Sequence, residues 1–340
     1  MTRAPAVEVL PSIWQRVLQR PSVSASDNFF DLGGTSSFAS KLFEEIAGTF
    51  GRNFPPVMIY AAPTIATLAV LLEDPAPPRV PPLLLMKAGS GHPPVFIAHG
   101  LGDTLLGLSD LVRKIETRHP IYGLQARGID DVDEPFTSIE AIAQFHLDAI
   151  RQLQAHGPYC LIGYSFGGLV TLEIAQRLLA AGEKIALLAL LDSYPDKSQL
   201  SAVQLALLSF RRAQRRVRSL IASASGRIRP QSPVVEGSPS PGNQSEYLSR
   251  VMRRMSDSGY VALRHYRPRF YPGRLKFVKA EISTYFPDNP TPVWAHLAEE
   301  FEVETMPGDH MGMLTTHCED LGALLSRYLS EADARMSTQS

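Results

Sequence analysis

The stretch Cys160–Ala180 reads CLIGYSFGGLVTLEIAQRLLA and joins a short apolar run, a glycine-rich turn and a helical segment. Its centre, GYSFGG at 163–168, contains G-x-S-x-G between a predicted strand and a predicted helix. In that setting the serine occupies a strained turn with its hydroxyl exposed, and the glycines let the helix pass close to the strand. The pattern predicts that Ser165 is a nucleophile. The alternative is an ordinary turn in which Ser165 caps the helix.

Short apolar runs alternate with helical segments on both sides of this stretch. The runs are LLLM (83–86), PVFIAHG, PIYGL, YCLIGY and KIALLALLD, and the helical segments lie near 105–117, 138–155 and 166–181. This alternation is typical of a mainly parallel sheet covered by helices on both faces. A helical, irregular stretch from about 196 to 265 interrupts it before RLKFVKAEIS, EFEVETM and a last helix at 319–330. The sheet domain therefore carries a helical insertion.

A serine nucleophile needs a base, and the base needs an acid to orient it. His310, in PGDHMGML, follows the last predicted strand and is preferred over His265, His296 and His317. For the acid, Asp192 directly follows the strand KIALLALL, where strand-borne groups are exposed. Asp192 ranks ahead of two rivals, Asp288 after RLKFVKAEIS and Asp309 beside the histidine.

Attack on an ester or thioester also needs donors for the developing oxyanion. The expected donors are the backbone N–H of Phe166, directly after the nucleophile, and that of Leu101 in PVFIAHGLGDT. The same loop begins like a dinucleotide fingerprint, with Gly100 and Gly102 after a strand. Because Leu105 stands where the third glycine belongs, nucleotide binding is not favoured.

The first 74 residues have a different spacing of apolar residues. Apolar residues recur at helical spacing there, as in Phe38, Leu42, Ile46 and Phe50, so a small helical bundle is predicted. The proline-rich run at 75–82 separates this bundle from the sheet domain and is typical of a semi-rigid spacer. Within the bundle, DNFFDLGGTSSF (27–38) brings three hydroxyl residues to a predicted helix start, where they could cap the helix or place an anion at its positive end.

The amino-acid composition limits the kinds of partner that the chain is expected to bind. Of the 340 residues 44% are hydrophobic and 20% charged, and the formal net charge of -1 gives no attraction to nucleic acid or membrane. No apolar run is long enough to span a bilayer, and the N-terminus has no signal-peptide pattern, which favours a cytoplasmic protein. The two cysteines, Cys160 and Cys318, have no metal-ligand spacing to a histidine, and no metal is expected.

Five motifs together resemble the thioesterase domains that terminate nonribosomal peptide and polyketide synthetases: VFIAHGLG, GYSFGG, LLDSYP, HYRPRFYPG and GDHMGML. The resemblance covers about residues 83–335 and implies an α/β-hydrolase fold in which the 196–265 insertion is a helical lid. In that family the acid follows the strand after the nucleophile helix, which favours Asp192. The chain departs from the commonest pattern at Gly100, where many relatives have proline.

Residues 1–74 resemble a peptidyl or acyl carrier domain, through IWQRVL, DNFFDLGGTSSF and IYAAPTIATLAVLL. The resemblance implies a four-helix bundle in which Ser36 carries a covalent 4'-phosphopantetheine arm. Thr35 replaces the usual Asp or His before the serine. Ser37 replaces the usual Leu after it and is a rival acceptor. The arm would be attached by a separate phosphopantetheinyl transferase.

These resemblances imply a thioesterase that releases an acyl or peptidyl chain from a thioester on Ser36, by hydrolysis or cyclisation. The partners implied are upstream adenylation and condensation enzymes, or a ketosynthase, on separate chains or earlier in a longer one; the Met1 start favours a free-standing protein. Two alternatives stay open: a hydrolase of small acyl esters or acyl-CoA with a vestigial carrier, and a non-catalytic interaction module. An arginine-rich segment of the lid, 210–229, is expected to be a solvated helix face or to steer an anionic substrate.

Overall fold

The computed structural model describes residues 5–200, 205–206, 243–283 and 286–338. The arginine-rich segment 210–229 lies outside them. No helix in the described ranges is both long and apolar enough to cross a membrane.

The N-terminal part is helical, as predicted. Its α-helices are α1 (Ala6–Leu18), α2 (Ser36–Phe50) and α3 (Ile65–Glu73), and Pro56–Tyr60 forms a 3-10 helix. The expected four helices are therefore three α-helices and one 3-10 turn. Each α-helix turns an apolar stripe inward, and Trp14 of α1 lies at the centre with no exposed surface.

The rest of the chain forms a seven-stranded sheet with helices. The strands are β1 (Leu83–Lys87), β2 (Val95–Ala98), β3 (Ile121–Leu124), β4 (Tyr159–Tyr164), β5 (Ile185–Leu191), β6 (Tyr271–Ile282) and β7 (Ala298–Asp309). The helices are α4 (Ser109–Lys114), α5 (Ile139–Leu153), α6 (Phe166–Ala180), α7 (Asn243–His265), α8 (Thr291–Trp294) and α9 (Cys318–Thr338). The segment predicted as one helix at 105–117 is a 3-10 turn, Leu105–Leu108, followed by the short α4.

The strand order is β1-β3-β2-β4-β5-β6-β7, and only β1 runs antiparallel to its neighbour. Helices α5 and α6 cover one face of the sheet, while α4 and α9 cover the other. The predicted fold class, an α/β-hydrolase sheet after a small helical bundle, is confirmed. Because six strands are parallel, their carboxyl ends lie along one edge of the sheet, the edge where ligands bind in folds of this class.

The helical bundle packs directly on the sheet domain. Helix α7, from the predicted lid, lies against α2, and the 3-10 helix at Pro56–Tyr60 lies against β1 and the 3-10 turn before α4. The side chain of Gln244 donates to the main-chain carbonyl of Phe54 at 2.7 Å, in a buried position. The apolar core of the bundle is therefore continuous with the core on one face of the sheet.

Candidate active site

The turn between β4 and α6 has the geometry that the sequence predicts. Ser165 has φ 54° and ψ −121°, a left-handed conformation that is strained for a residue with a side chain. Its N–H donates to the carbonyl of Leu191 at 2.8 Å. A Cβ atom on Gly167 would lie 2.5 Å from the carbonyl oxygen of His99, so a glycine is needed where α6 starts against the neighbouring loop. Ser165 is partly exposed at the carboxyl edge of the sheet.

Asp192 and His310 meet at the same edge. Nδ1 of His310 lies 2.8 Å from Oδ2 of Asp192, and the other carboxylate oxygen of Asp192 accepts the N–H of Ala280 at 3.2 Å. Asp192 is 4% exposed and has φ 45°, a left-handed conformation that is uncommon for a residue with a side chain. A buried carboxylate fixes the Nδ1–H tautomer of the imidazole and leaves Nε2 to act as a base.

Among the described residues, the carboxylate seen paired with His310 is that of Asp192, the acid ranked first from the sequence. The carboxylate of Asp309 accepts the N–H of Gly312 at 2.8 Å within its own loop. At Asp288 the main-chain carbonyl accepts from Lys279. Among the rival bases, His265 is the last residue of α7, and His317 lies just before α9 rather than inside it.

Tyr164 supports the histidine through contacts that the sequence does not predict. Its ring stacks on that of His310, with centroids 4.7 Å apart, and its hydroxyl donates to the main-chain carbonyl of His310 at 2.8 Å. The ring of Phe286 meets the imidazole edge-on at 5.3 Å. Burial raises the pKa of Tyr164, so its hydroxyl stays protonated as a donor. The available signal was its position as the residue before the serine in G-x-S-x-G.

The loop after β2 lies beside the nucleophile. A Cβ atom on Gly100 would lie 3.5 Å from the Cβ of Ser165 and 3.2 Å from the Tyr164 ring, so proline there would crowd that ring. Leu101 and Phe166, the predicted oxyanion donors, both lie under α7, where a Cβ on Gly259 would approach their side chains. Helix α7, from the predicted lid, therefore covers this loop. A small pocket is lined by His99, Leu101, Arg127, Phe136, Phe166 and Met255.

In the helical bundle, the three hydroxyls at the start of α2 differ in their bonds. The Thr35 side chain caps the helix by accepting the N–H of Phe38 at 3.3 Å, and it also bonds to the Ser37 hydroxyl at 3.0 Å. Within the described part of the chain, no hydrogen bond engages the hydroxyl of Ser36, which is partly exposed as the first helical residue. A phosphodiester on Ser36 would meet the positive end of a 15-residue helix, so this position fits a phosphopantetheine arm.

Comparisons with known proteins match the two parts separately. Residues 8–72 match the family model of the phosphopantetheine attachment site, and residues 93–226 match that of the thioesterase domain. A dimodular nonribosomal peptide synthase from Bacillus subtilis (strain 168) is 37% identical over 195 residues, which are 57% of this chain and 8% of that protein. The chain spans only 2% to 13% of the lengths of the first three curated relatives it matches.

Two solved structures share the fold. A four-domain nonribosomal peptide synthetase, holo-AB3403, aligns over 96% of this chain and 26% of its own, with a TM-score of 0.58 and 20% identity. The NocB thioesterase domain, solved as a covalent complex with a fluorophosphonate nocardicin G analogue, aligns over 71% of this chain and 96% of its own, with a TM-score of 0.51 and 21% identity. The chain is a carrier–thioesterase didomain, with a phosphopantetheine-attachment domain at residues 8–72 and a thioesterase domain matched at residues 93–226.

Proposed function

We propose that this chain releases an acyl or peptidyl chain from a phosphopantetheine thioester on Ser36, at the end of a nonribosomal peptide or polyketide-type assembly. The observation that carries the proposal is the Asp192–His310 pair beside the strained turn of Ser165. Such a pair activates a serine for acyl transfer. The arm, when attached to Ser36, supplies the thiol that holds the acyl chain as a thioester.

In the proposed first step, His310 removes the proton of the Ser165 hydroxyl through Nε2, and the serine oxygen attacks the thioester carbonyl carbon. Asp192 stabilises the imidazolium that forms. The N–H groups of Leu101 and Phe166 are the proposed donors to the oxyanion. The C–S bond then breaks, the sulfur takes the proton from His310, and acyl-Ser165 remains.

In the second step, His310 deprotonates an incoming nucleophile, which attacks the acyl-Ser165 carbonyl. The serine oxygen leaves and recovers its proton from His310. Water as the nucleophile gives a free acid, and an amine or hydroxyl of the bound chain gives a ring. Helix α7 lies over Leu101 and Phe166, and a chain that folds back under this helix brings its own amine or hydroxyl to the acyl-Ser165 carbonyl.

We further propose the division of the chain into a carrier domain (1–74), a spacer (75–82) and a thioesterase domain (83–335) with its lid at about 196–265. The helix and strand bounds support it. A phosphopantetheinyl transferase and upstream adenylation and condensation modules, or a ketosynthase, are the proposed partners. The proposed compartment is the cytoplasm, where the free thiols of Cys160 and Cys318 stay reduced.

The decisive experiment loads the carrier with a panel of acyl groups, using a phosphopantetheinyl transferase and acyl-CoA, and follows release by mass. The wild-type protein is expected to lose its acyl group, while Ser165→Ala keeps it. Equal release from both would overturn the catalytic assignment. The small-ester hydrolase would be favoured if Ser36→Ala hydrolysed free acyl-CoA as fast as the wild type releases the carrier-bound acyl group. The interaction module would be favoured if a fluorophosphonate labelled no serine.

A further inference from the structure

Two histidines and an aspartate meet at the amino ends of the strands, the opposite edge of the sheet from Asp192 and His310. His92 lies just before β2, and His119 lies just before β3. These strands are parallel neighbours, so their amino ends lie side by side. Asp333, on α9, reaches them from the face of the sheet. One donor atom from each of the three side chains lies within 4.8 Å of the other two.

The hydrogen-bond geometry of His119 requires a positive charge between its ring and the carboxylate of Asp333. Nδ1 of His119 lies 2.6 Å from the carbonyl oxygen of Pro93, and a carbonyl can only accept, so Nδ1 carries a hydrogen. Nε2 of the same ring lies 3.1 and 3.2 Å from the two carboxylate oxygens of Asp333. In the neutral ring with a hydrogen on Nδ1, Nε2 carries a lone pair, which would face the anionic carboxylate of Asp333. A proton or a metal ion must therefore lie between Nε2 and the carboxylate.

The third side chain of the cluster, His92, makes a metal ion a better explanation of that charge than a proton alone. Nδ1 of His92 lies 3.6 Å from the Asp333 carboxylate, beyond hydrogen-bonding distance, yet it points into the same space. The two imidazole rings meet edge-on, with centroids 4.9 Å apart. Within the described ranges no lysine or arginine pairs with the Asp333 carboxylate, although exposed carboxylates elsewhere in the chain have such partners.

Two of the three donor separations suit a tetrahedral ion, and the third, between the two histidine nitrogens, is at most 4.8 Å. Metal–ligand bonds of about 2.1 Å place the donors of a tetrahedral zinc site about 3.4 Å apart, close to the separations between Asp333 and each histidine. The Pro93 carbonyl does for His119 what outer-sphere acceptors do for metal-bound imidazoles: it fixes the tautomer and the ring orientation. His119 is 1% exposed, so its Nε2 is already held in place.

We propose that Nδ1 of His92, Nε2 of His119 and the carboxylate of Asp333 bind one zinc ion, with water as the fourth ligand. Two imidazoles and one carboxylate form a ligand set that zinc accepts. The ion would join α9 to the starts of β2 and β3. Because this edge lies away from the thioester chemistry, the site is structural and independent of the proposed catalytic function.

The test uses the full-length chain without a histidine tag, made metal-free by a chelator and then dialysed against zinc or cobalt(II). His92→Ala and Asp333→Asn remove one ligand each and spare the buried His119. His156→Ala is the matched control, because His156 also pairs with a carboxylate, that of Glu183, but is 85% exposed and has no second histidine beside it. Zinc content, the cobalt absorption spectrum and the melting temperature are measured for each protein.

The wild type and His156→Ala are expected to retain one zinc per chain, to give the intense visible bands of four-coordinate cobalt and to melt higher with zinc than without it. In His92→Ala and Asp333→Asn the zinc affinity is expected to fall at least about tenfold, and zinc should no longer raise the melting temperature. Equal zinc content in the wild type and His92→Ala, or a cobalt spectrum without those bands, would overturn the site and leave His119 as an imidazolium paired with Asp333.

Discussion

Nδ1 of His310 lies 2.8 Å from the carboxylate of Asp192, across 118 residues of chain. The pair is possible because β5 and β7 flank β6 and all three are parallel, so that the residues after β5 and β7 reach across the end of β6. The N–H of Ala280 on β6 holds the other oxygen of the carboxylate. The sheet, rather than the loops, therefore sets the distance between acid and base.

Asp192→Asn is expected to keep the fold and to lower kcat by about 10⁴-fold, the size of the effect that the same change has in serine-protease triads. The amide no longer selects the Nδ1–H tautomer or stabilises the imidazolium. The measurement is turnover of a soluble acyl-N-acetylcysteamine thioester. Asp288→Asn is the control and should turn over at the wild-type rate; a greater loss for that variant would move the acid to Asp288.

Tyr164→Phe removes the hydroxyl that donates to the His310 carbonyl but keeps the ring that stacks on the imidazole. We expect kcat to fall about fivefold with little change in KM, because one hydrogen bond that positions the base contributes about 1 kcal/mol. Tyr266→Phe is the matched control: its buried hydroxyl bonds to Glu173, away from the site. Equal losses of kcat in the two variants would indicate a general effect on stability.

Gln244→Ala tests the contact between carrier and lid. The change leaves the buried carbonyl of Phe54 without its partner, which costs about 1–3 kcal/mol. Release from the loaded carrier is expected to slow several-fold, while turnover of a soluble thioester stays at the wild-type rate. Gln176→Ala is the control, because it removes a similar bond to the carbonyl of Arg269 inside the thioesterase domain. It should change the rates of the two assays to the same extent. A contact that serves stability alone would slow neither assay.

Ser36→Ala is expected to abolish uptake of phosphopantetheine, and Ser37→Ala to leave it intact. The reason is the difference in their bonds: Ser37 is tied to the capping Thr35, while the Ser36 hydroxyl is available. Intact mass after incubation with CoA and a phosphopantetheinyl transferase gives the answer. An arm found on Ser36→Ala but absent from Ser37→Ala would identify the neighbour as the acceptor.

His146→Phe addresses acid stability. Burial lowers the pKa of His146 to about 3, from an ordinary value of 6.5. Below pH 6.5 the unfolded chain therefore takes up a proton that the folded chain does not. The free energy of unfolding should fall by about 1.4 kcal/mol per pH unit from this group as the pH drops from 6.5 toward 3.

Phenylalanine removes that proton, so denaturant unfolding of His146→Phe between pH 6.5 and 5 should show a shallower pH dependence than the wild type. Some slope should remain, because burial also lowers the pKa of His99. The exposed His156→Gln is the control and should follow the wild type. An unchanged slope in His146→Phe would mean that His146 is already protonated in the folded protein.

The sequence predicts the parts of this site that obey a local rule. Ser165 follows from strand, turn and helix in one continuous stretch, and the positions of Asp192 and His310 follow from the strand ends. The hydrogen bond from Tyr164 to His310 joins residues that are 146 positions apart. It depends on where β4 ends relative to the loop after β7, and the hydrophobic periodicity of the sequence does not predict that. The bond between Gln244 and Phe54 spans 190 residues and depends on how the bundle sits on the lid.

The spacer between carrier and thioesterase is held at both ends. Arg52 donates to the carbonyls of Asp74 and Ala76 on the carrier side. On the other side, Arg79 pairs with Asp133 and the N–H of Val80 donates to Asp130.

Pro77 and Pro78 alone lie between these two clamps, and neither has an N–H to form a bond of its own. They are the two residues of the connection that lie outside both clamps. A carrier that swings as a rigid body to visit another enzyme must leave its packed contacts with α7 and β1, and it must then turn about these two residues or give up one of the clamps. The radius of that swing is therefore set by the length of the carrier itself.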